Sequence, residues 1–91
     1  MEHTIIMGKN EKLLKRLLSQ PKDFTYAELK KIMFTFGFEE DNKGKSSGSR
    51  VAFYHSQKQL ILRLHKPHPK NELKAYQIKE IIEFLKGIGD I

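Results

Sequence analysis

The 91-residue sequence predicts a small α+β domain in which helices cover one face of a three-stranded antiparallel sheet. Three segments carry apolar residues at helical spacing. Two runs between the second and third segments, RVAFYH and LILRLH, are rich in β-branched, aromatic and aliphatic residues, as strands are. The predicted order is α, α, β, β, β, α, in a two-layer domain without an internal repeat.

Two helices are predicted before the strands. In NEKLLKRLLSQP, Asn10 can cap a short helix and Pro21 can end it. Its apolar stripe consists of Leu13, Leu14, Leu17 and Leu18. In DFTYAELKKIMFTFGF, Thr25 and Glu28 fit a capping box, and Gly37 is a natural C-terminal stop. The stripe of this second helix, Leu29, Ile32, Met33 and Phe36, is predicted to be core.

The strands are predicted to form a hairpin preceded by a weak polar strand, FEEDNK, and by the loop GKSSGS. If SQKQ is a four-residue turn, His55 pairs with Leu60. This register places Val51, Phe53, Leu62 and Leu64 on one apolar face. On the other face, Arg50 lies opposite His65, within reach of a common ligand.

A proline-punctuated connection, KPHPKNE, is predicted to lead into the last helix. That helix, within LKAYQIKEIIEFLK, has Gly87 beyond its end. Its apolar face consists of Ile78, Ile81, Ile82 and Leu85.

The charge favours an acidic partner, of which nucleic acid is the commonest. The chain carries 17 Lys and Arg against 11 Asp and Glu, a net charge of +6, and the excess is not confined to a tail. The absence of cysteine excludes a disulfide scaffold and suits the cytoplasm, where we expect the protein. No apolar run is long enough for a membrane span, so no membrane partner is expected.

Arg50 and His65 are the candidate residues for binding an anion. Two facing cations are unfavourable unless the histidine is neutral or both side chains contact an anion, so a solvated face with a neutral His65 is the alternative. Lysines flank the same end of the hairpin: Lys43, Lys45, Lys66 and Lys70. They favour a phosphate-binding surface.

His65 and His68 also raise the question of a metal site. Only His3 and His55 remain as further histidines, and no acidic cluster is near them in the sequence. We therefore expect neither a metal nor another cofactor. Because histidine titrates near neutral pH, His65 and His68 are candidates for general acid–base catalysis.

The residues from FTYAELKKIMFTFGFEE through GKSSGSRVAFYH to LHKPHPKNELKAYQIKEIIEFL resemble the HicA (YcfA-like) toxins of toxin–antitoxin systems. The specific features are the Gly-Ser pair before the second strand, the HP and ELK sequences after the third, and the final helix. The resemblance covers roughly residues 24–85. It implies a HicA-like domain at 24–91 and an N-terminal extension with a short helix at 1–23.

The resemblance implies a double-stranded-RNA-binding-domain-like fold, metal-independent cleavage of mRNA, and inhibition by a HicB-like antitoxin. The family's Gly-Ser/Thr-His motif, with a catalytic histidine, corresponds here to Gly48-Ser49-Arg50. We therefore assign the proton transfer to His65 and phosphate binding to Arg50. His68 is a second candidate for the proton transfer. The residues expected to bind RNA are Lys43, Lys45, Ser47, Gly48, Ser49, Arg63, Lys66 and Lys70.

Two alternatives to the RNA-cleaving toxin stay open. Arginine is a poor proton carrier, because the pKa of a guanidinium exceeds about 12. A non-catalytic RNA-binding module of the same fold is therefore one alternative. A domain whose basic face binds only an acidic antitoxin is the other.

Overall fold

A computed structural model describes residues 11–41, 50–67, 70–89 and 91 of the chain. The elements are α1 (Glu11–Leu18), α2 (Tyr26–Thr35), β1 (Glu39–Asp41), β2 (Arg50–His55), β3 (Leu60–His65) and α3 (Ala75–Gly87). The strands pair antiparallel in the order β1-β2-β3. The predicted α+β class, the order of elements and the helix–strand–strand–strand–helix arrangement are confirmed.

The β2–β3 hairpin has the predicted register. His55 pairs with Leu60 across the turn 56–59, and Arg50 pairs with His65 at the other end. The alternation along β2 buries Val51, Phe53 and His55 and leaves the side chains between them on the other face. One face of the sheet therefore packs against the helices and the other is open.

The core lies between the sheet and the helices. Its fully buried side chains come from every helix, from β2 and from the segments just before α2 and β1. The largest are Phe24, Phe38, Phe53, Leu17, Leu29, Ile32, Met33, Ile78, Ile81 and Leu85. Leu60, Leu62 and Leu64 of β3 pack against this cluster while remaining partly exposed. The predicted apolar faces of α2 and α3 are thus confirmed as core, with Phe36 at the rim.

Both ends of α2 have the capping structures that its sequence predicts. Thr25 Oγ1 accepts a hydrogen bond from the backbone N–H of Glu28, and Glu28 Oε1 accepts one from the N–H of Thr25, which is the predicted capping box. Gly37 follows the C-cap with φ +92°, a conformation that glycine adopts without a Cβ penalty. A Cβ on Gly37 would lie 2.8 Å from His55 Nε2, so the chain turns towards β1 directly against that imidazole.

Helix α1 packs on the rest of the domain through one face. Leu17 is fully buried, and Arg16 reaches across to Asp23 and Glu28 with hydrogen bonds of 2.9 and 3.0 Å. Leu18, predicted to belong to the apolar stripe, is instead 42% exposed. It lies about 100° around the helix from Leu17, which is enough to turn its side chain out of the core. The predicted cap, Asn10, lies outside the described residues.

A short backbone pairing joins the segments that enter α2 and α3. Leu73 N–H donates to the carbonyl of Phe24 at 2.7 Å, and Tyr26 N–H donates to that of Asn71 at 2.9 Å. These bonds bring the first turns of the two helices to the same end of the domain. They also anchor the connection that leaves β3.

Helix α3 begins and ends slightly later than its apolar spacing suggests. It starts at Ala75, and Gly87, predicted to lie beyond the helix, is its last residue. The left-handed conformation occurs at Gly89, with φ +85°, so the chain leaves the helix there. Among the described residues, no helix is long and apolar enough to cross a membrane.

The burial of Leu17 makes α1 part of the cooperative fold, which can be tested with two adjacent leucines. We expect Leu17→Ala to lower the free energy of unfolding by about 2–5 kcal/mol, because it empties a fully buried site. Leu18→Ala is the matched control and should cost less than about 1 kcal/mol. Urea denaturation followed by circular dichroism measures both values, and equal small losses would show that α1 does not stabilise the domain.

Candidate nucleic-acid interface

The open face of the sheet collects most of the charged strand residues. From β1 to β3 it carries Glu39, Asp41, Arg50, Ala52, Tyr54, Ile61, Arg63 and His65. The acidic residues lie on β1 and the basic residues on β2 and β3. The face is therefore electrostatically polarised across the strands.

Arg50 and His65 form a pair at one end of this face. They are register partners and both are exposed. Side chains of antiparallel partners lie about 5 Å apart at Cβ, so one phosphate can contact both. The predicted juxtaposition is thus confirmed as geometry, and it places a guanidinium beside an imidazole.

A groove crosses the open face on the hairpin-turn side of this pair. It encloses about 430 Å³. Its lining extends from Asp41, Ala52 and Arg63, past Tyr54 and Ile61, to His55, Ser56, Gln59 and Leu60 at the turn. Asp41 pairs with Ala52, which in turn pairs with Arg63, so the carboxylate and the guanidinium stand on either side of a methyl group. The small Ala52 side chain makes the face concave at this position.

Tyr54 forms a wall of the groove and is held by Glu39. Its hydroxyl donates a 2.9 Å hydrogen bond to Glu39 Oε1. This bond and the negative charge of Glu39 raise the pKa of the Tyr54 hydroxyl, which therefore stays protonated. The ring presents an aromatic surface beside Ile61, which is 48% exposed.

Lys66, predicted to bind RNA, lies away from the open face. Its Nζ is 5.4 Å from the ring centroid of Tyr26, whose hydroxyl donates a hydrogen bond to Glu40. Glu40 also pairs with Lys30 at 3.3 Å. Lys66 thus lies next to the network of Tyr26, Glu40 and Lys30, on the helix-covered face of the sheet. Arg50 and His65 lie at the same end of the sheet, on its open face.

The ionisation states of this network follow from its geometry. Burial favours the neutral form of Glu40, but the hydrogen bonds from Tyr26 and Lys30 and the charges of Lys30 and Lys66 outweigh it and lower the pKa of the carboxyl. Burial and the Glu40 contact raise the pKa of Tyr26. The carboxylate is therefore charged and the phenol neutral near pH 7.

The structure brings Arg50, Arg63 and His65 together on one face, whereas Lys70 is exposed in the connection after β3. The remaining predicted site residues lie outside the described residues: Lys43, Lys45, Ser47, Gly48, Ser49 and His68.

His55, considered in the sequence as a spare metal ligand, is buried on the core side of the sheet. Its ring meets Phe38 edge-on at 5.3 Å, and its Nδ1 accepts a 3.3 Å hydrogen bond from the backbone N–H of Lys58. In the ranges that the structure describes, no three His, Asp or Glu side chains come together as metal ligands would.

Two contributors to this surface were not identified from the sequence. Asp41 was part of a strand whose partner the sequence did not specify. Gln77 was an ordinary helix residue, yet its buried amide accepts from the N–H of Lys74 and donates to the carbonyl of His65. The sequence feature that could have identified Gln77 was its position, because it is a polar residue next to Ile78 on the inner face of the helix.

Comparison with known proteins gives one match. A family model described as the HicA toxin of bacterial toxin–antitoxin systems matches residues 26–89, more than half of the chain. The match begins at the first residue of α2 and covers the sheet and α3. No curated protein and no solved structure matches the chain.

The Glu40 network predicts a specific acid sensitivity. Because the pKa of Glu40 is lower in the folded protein than its ordinary value of 4.5, its contribution is complete above that pH and is lost as the pH falls through the folded pKa. We expect Glu40→Gln to cost roughly 1 kcal/mol at pH 7 and less at pH 3. Urea denaturation of parent and variant at both pH values measures this, and a constant difference would contradict it.

Proposed function

The chain belongs to the HicA family of toxins from bacterial toxin–antitoxin systems, and we propose that it is a metal-independent endoribonuclease acting on mRNA. The observation that carries the proposal is the Arg50–His65 pair, exposed on the open face of a basic domain. RNA is the natural ligand for this polarity, because phosphates bind to fixed cations and a nearby proton acceptor can reach the ribose hydroxyl.

The proposed reaction is transfer of the phosphate to the neighbouring 2′-oxygen. The 2′-oxygen attacks phosphorus, the bond to the 5′-oxygen breaks, and a 2′,3′-cyclic phosphate and a 5′-hydroxyl result. A neutral His65 imidazole accepts the 2′-hydroxyl proton, and the 5′-oxygen takes a proton from His68 or from water. Arg50 binds the phosphate and stabilises the charge that builds up on its oxygens.

These separate roles for Arg50 and His65 explain how the chain would cleave RNA without the histidine of the family motif. Arginine occupies the position after Gly48-Ser49 where the resemblance places a catalytic histidine. Arg50 can stabilise charge but cannot exchange protons at neutral pH. Its register partner, His65, supplies the exchangeable proton from the neighbouring strand.

RNA binding without cleavage is the second candidate function. The observation that favours it is the same arginine, because a family member without the histidine at that position keeps the cationic surface. A protein of this kind would bind RNA with a strong salt dependence and leave it intact.

Family membership implies a cognate antitoxin, and we propose that it is a HicB-like protein in the same cytoplasm. An antitoxin that neutralises the toxin has to cover Arg50 and His65, whose charges favour an acidic contact surface. A chain that served only such an interaction would show neither RNA cleavage nor salt-dependent RNA binding.

The catalytic assignment is tested by expression of the parent and of single variants. We expect the parent to arrest growth and degrade mRNA, and His65→Ala to reduce the cleavage rate of the purified protein about 100-fold or more. Arg50→His should retain cleavage, because it restores the family's residue. Growth curves, RNA decay and cleavage in EDTA are the measurements.

Lys86→Ala, in the last turn of α3, is the control that should leave cleavage unchanged. Melting temperatures establish that each variant is folded. If folded His65→Ala cleaved as fast as the parent, the proton-transfer role of His65 would be wrong. If the parent bound RNA but Arg50→His alone cleaved it, the binding function would replace the enzymatic one.

Phosphate contacts near the pair predict a salt-dependent affinity. We expect Lys70→Ala to weaken binding of single-stranded RNA and to reduce the slope of log K against log salt by about 0.7, the value for one lost phosphate contact. Lys86 lies about 15–20 Å along α3 from the first turn of the helix, so it should not contact RNA bound at the pair. Lys86→Ala should therefore leave the slope unchanged. Equal slopes for parent and Lys70→Ala, measured by fluorescence anisotropy, would remove Lys70 from the interface.

A further inference from the structure

We propose that the antitoxin binds to β3 by strand addition. An extended segment of the antitoxin, with alternating aliphatic and acidic residues, pairs with the edge of β3 that faces away from β2 and becomes a fourth strand of the sheet. This edge is called the β3 edge below. The inference rests on the antitoxin partner proposed above and names its binding mode, and it does not depend on the cleavage chemistry.

The β3 edge is long, and no strand among the described residues pairs with it. The strand order is β1-β2-β3, so β3 is paired on one side. It has six residues, whereas β1 at the opposite edge has three. Antiparallel pairing uses the backbone groups of alternate residues, so the remaining N–H and C=O groups of β3 point outward. A row of such groups is the template for strand addition.

The helix-covered face of the sheet leaves apolar surface exposed beside this edge. The inner residues of β2, Val51 and Phe53, are 4% and 0% exposed. The inner residues of β3 pack on the same core but stay partly exposed: Leu60, Leu62 and Leu64. An added strand would place every second side chain beside these leucines and remove them from water. Aliphatic residues at those positions would therefore stabilise the complex.

The open face of the sheet determines the other half of the pattern. Ile61, Arg63 and His65 alternate with the leucines and are exposed. Side chains of paired strands lie about 5 Å apart at Cβ, so a carboxylate on the added strand can pair with Arg63. The same carboxylate would repel a phosphate bound by Arg50 and His65. Strand addition would therefore oppose RNA binding, as an antitoxin has to do.

Helix α3 restricts the part of the edge that the segment can use. The Gln77 amide donates a 2.9 Å hydrogen bond to the carbonyl of His65, the last residue of β3. Helix α3 thus reaches β3 at this end of the strand. The part between Arg63 and the hairpin turn is left for the added strand.

A second copy of this chain fits the β3 edge less well than an acidic segment does. It would bring a further net charge of +6 and place a second Arg63 and His65 along the same edge. Charges of one sign on an edge strand disfavour pairing of the strand with itself. An acidic partner replaces this repulsion with attraction.

The test uses the full chain and a capped, fluorescently labelled peptide of alternating valine and glutamate residues. Fluorescence anisotropy gives the affinity, and NMR hydrogen exchange locates the protected amides. At saturation we expect every second amide of β3 to exchange about tenfold or more slowly, with no change in β1. A peptide with lysine in place of glutamate should bind at least about tenfold more weakly. A peptide that is N-methylated at alternate residues should not bind, because it cannot donate backbone hydrogen bonds to β3.

Matched charge reversals assign the contact to β3. Arg63→Glu should weaken binding of the valine–glutamate peptide about tenfold, because an attractive cross-strand pair becomes a repulsive one. Lys86→Glu makes the same change of charge in the last turn of α3 and should leave the affinity unchanged. Melting temperatures establish that both variants are folded.

Several outcomes would overturn the proposal. They are absence of peptide binding, equal binding of the N-methylated peptide, and protection of amides outside β3 alone. Slow exchange of all β3 amides in the free monomer would show that the chain itself occupies the edge. Protection that accompanies dimer formation, measured by sedimentation velocity, would assign the edge to a second copy.

RNA cleavage by the free chain is measured separately, so the two proposals can fail independently. Peptide binding at β3 without RNA cleavage would support strand addition and contradict the nuclease. Cleavage without peptide binding would support the nuclease and contradict strand addition.

Discussion

The backbone pairing between the residues before α2 and those before α3 is the constraint on which the rest of the structure depends. Two hydrogen bonds, from Leu73 to Phe24 and from Tyr26 to Asn71, join segments almost 50 residues apart. They align the first turns of both helices under one end of the sheet. Phe24 and Leu73 are also buried, so the bond between them forms within the core, where an unsatisfied backbone group would be costly.

Gln77 connects this constraint to the candidate site. Its amide accepts from Lys74 in the first turn of α3 and donates to the carbonyl of His65 at the end of β3. A buried amide with both ends bonded is stabilising, whereas an aliphatic side chain there would leave both backbone partners unsatisfied. The last residue of β3 is thereby held in the ladder, which keeps the His65 side chain opposite Arg50 rather than free in the following connection.

The sequence predicts the hairpin half of this surface well and the β1 half poorly. Four turn residues and strict alternation leave one register that buries Val51 and Phe53, so the Arg50–His65 pairing follows from local rules. The link from β1 to β2 covers residues 42–49, and a connection of that length leaves the pairing of Asp41 undetermined. The location of Lys66 also escaped prediction, because the end of a strand does not specify the side to which the next residue turns.

The open face of the sheet carries opposite charges on its two sides. Glu39 and Asp41 lie on β1, whereas Arg50, Arg63 and His65 lie on β2 and β3. A net charge of +6 attracts any polyanion, and phosphate contacts alone carry no information about sequence. Because carboxylates repel phosphate, an anion on this face is favoured on the side of β2 and β3, where Arg50 and His65 are register partners.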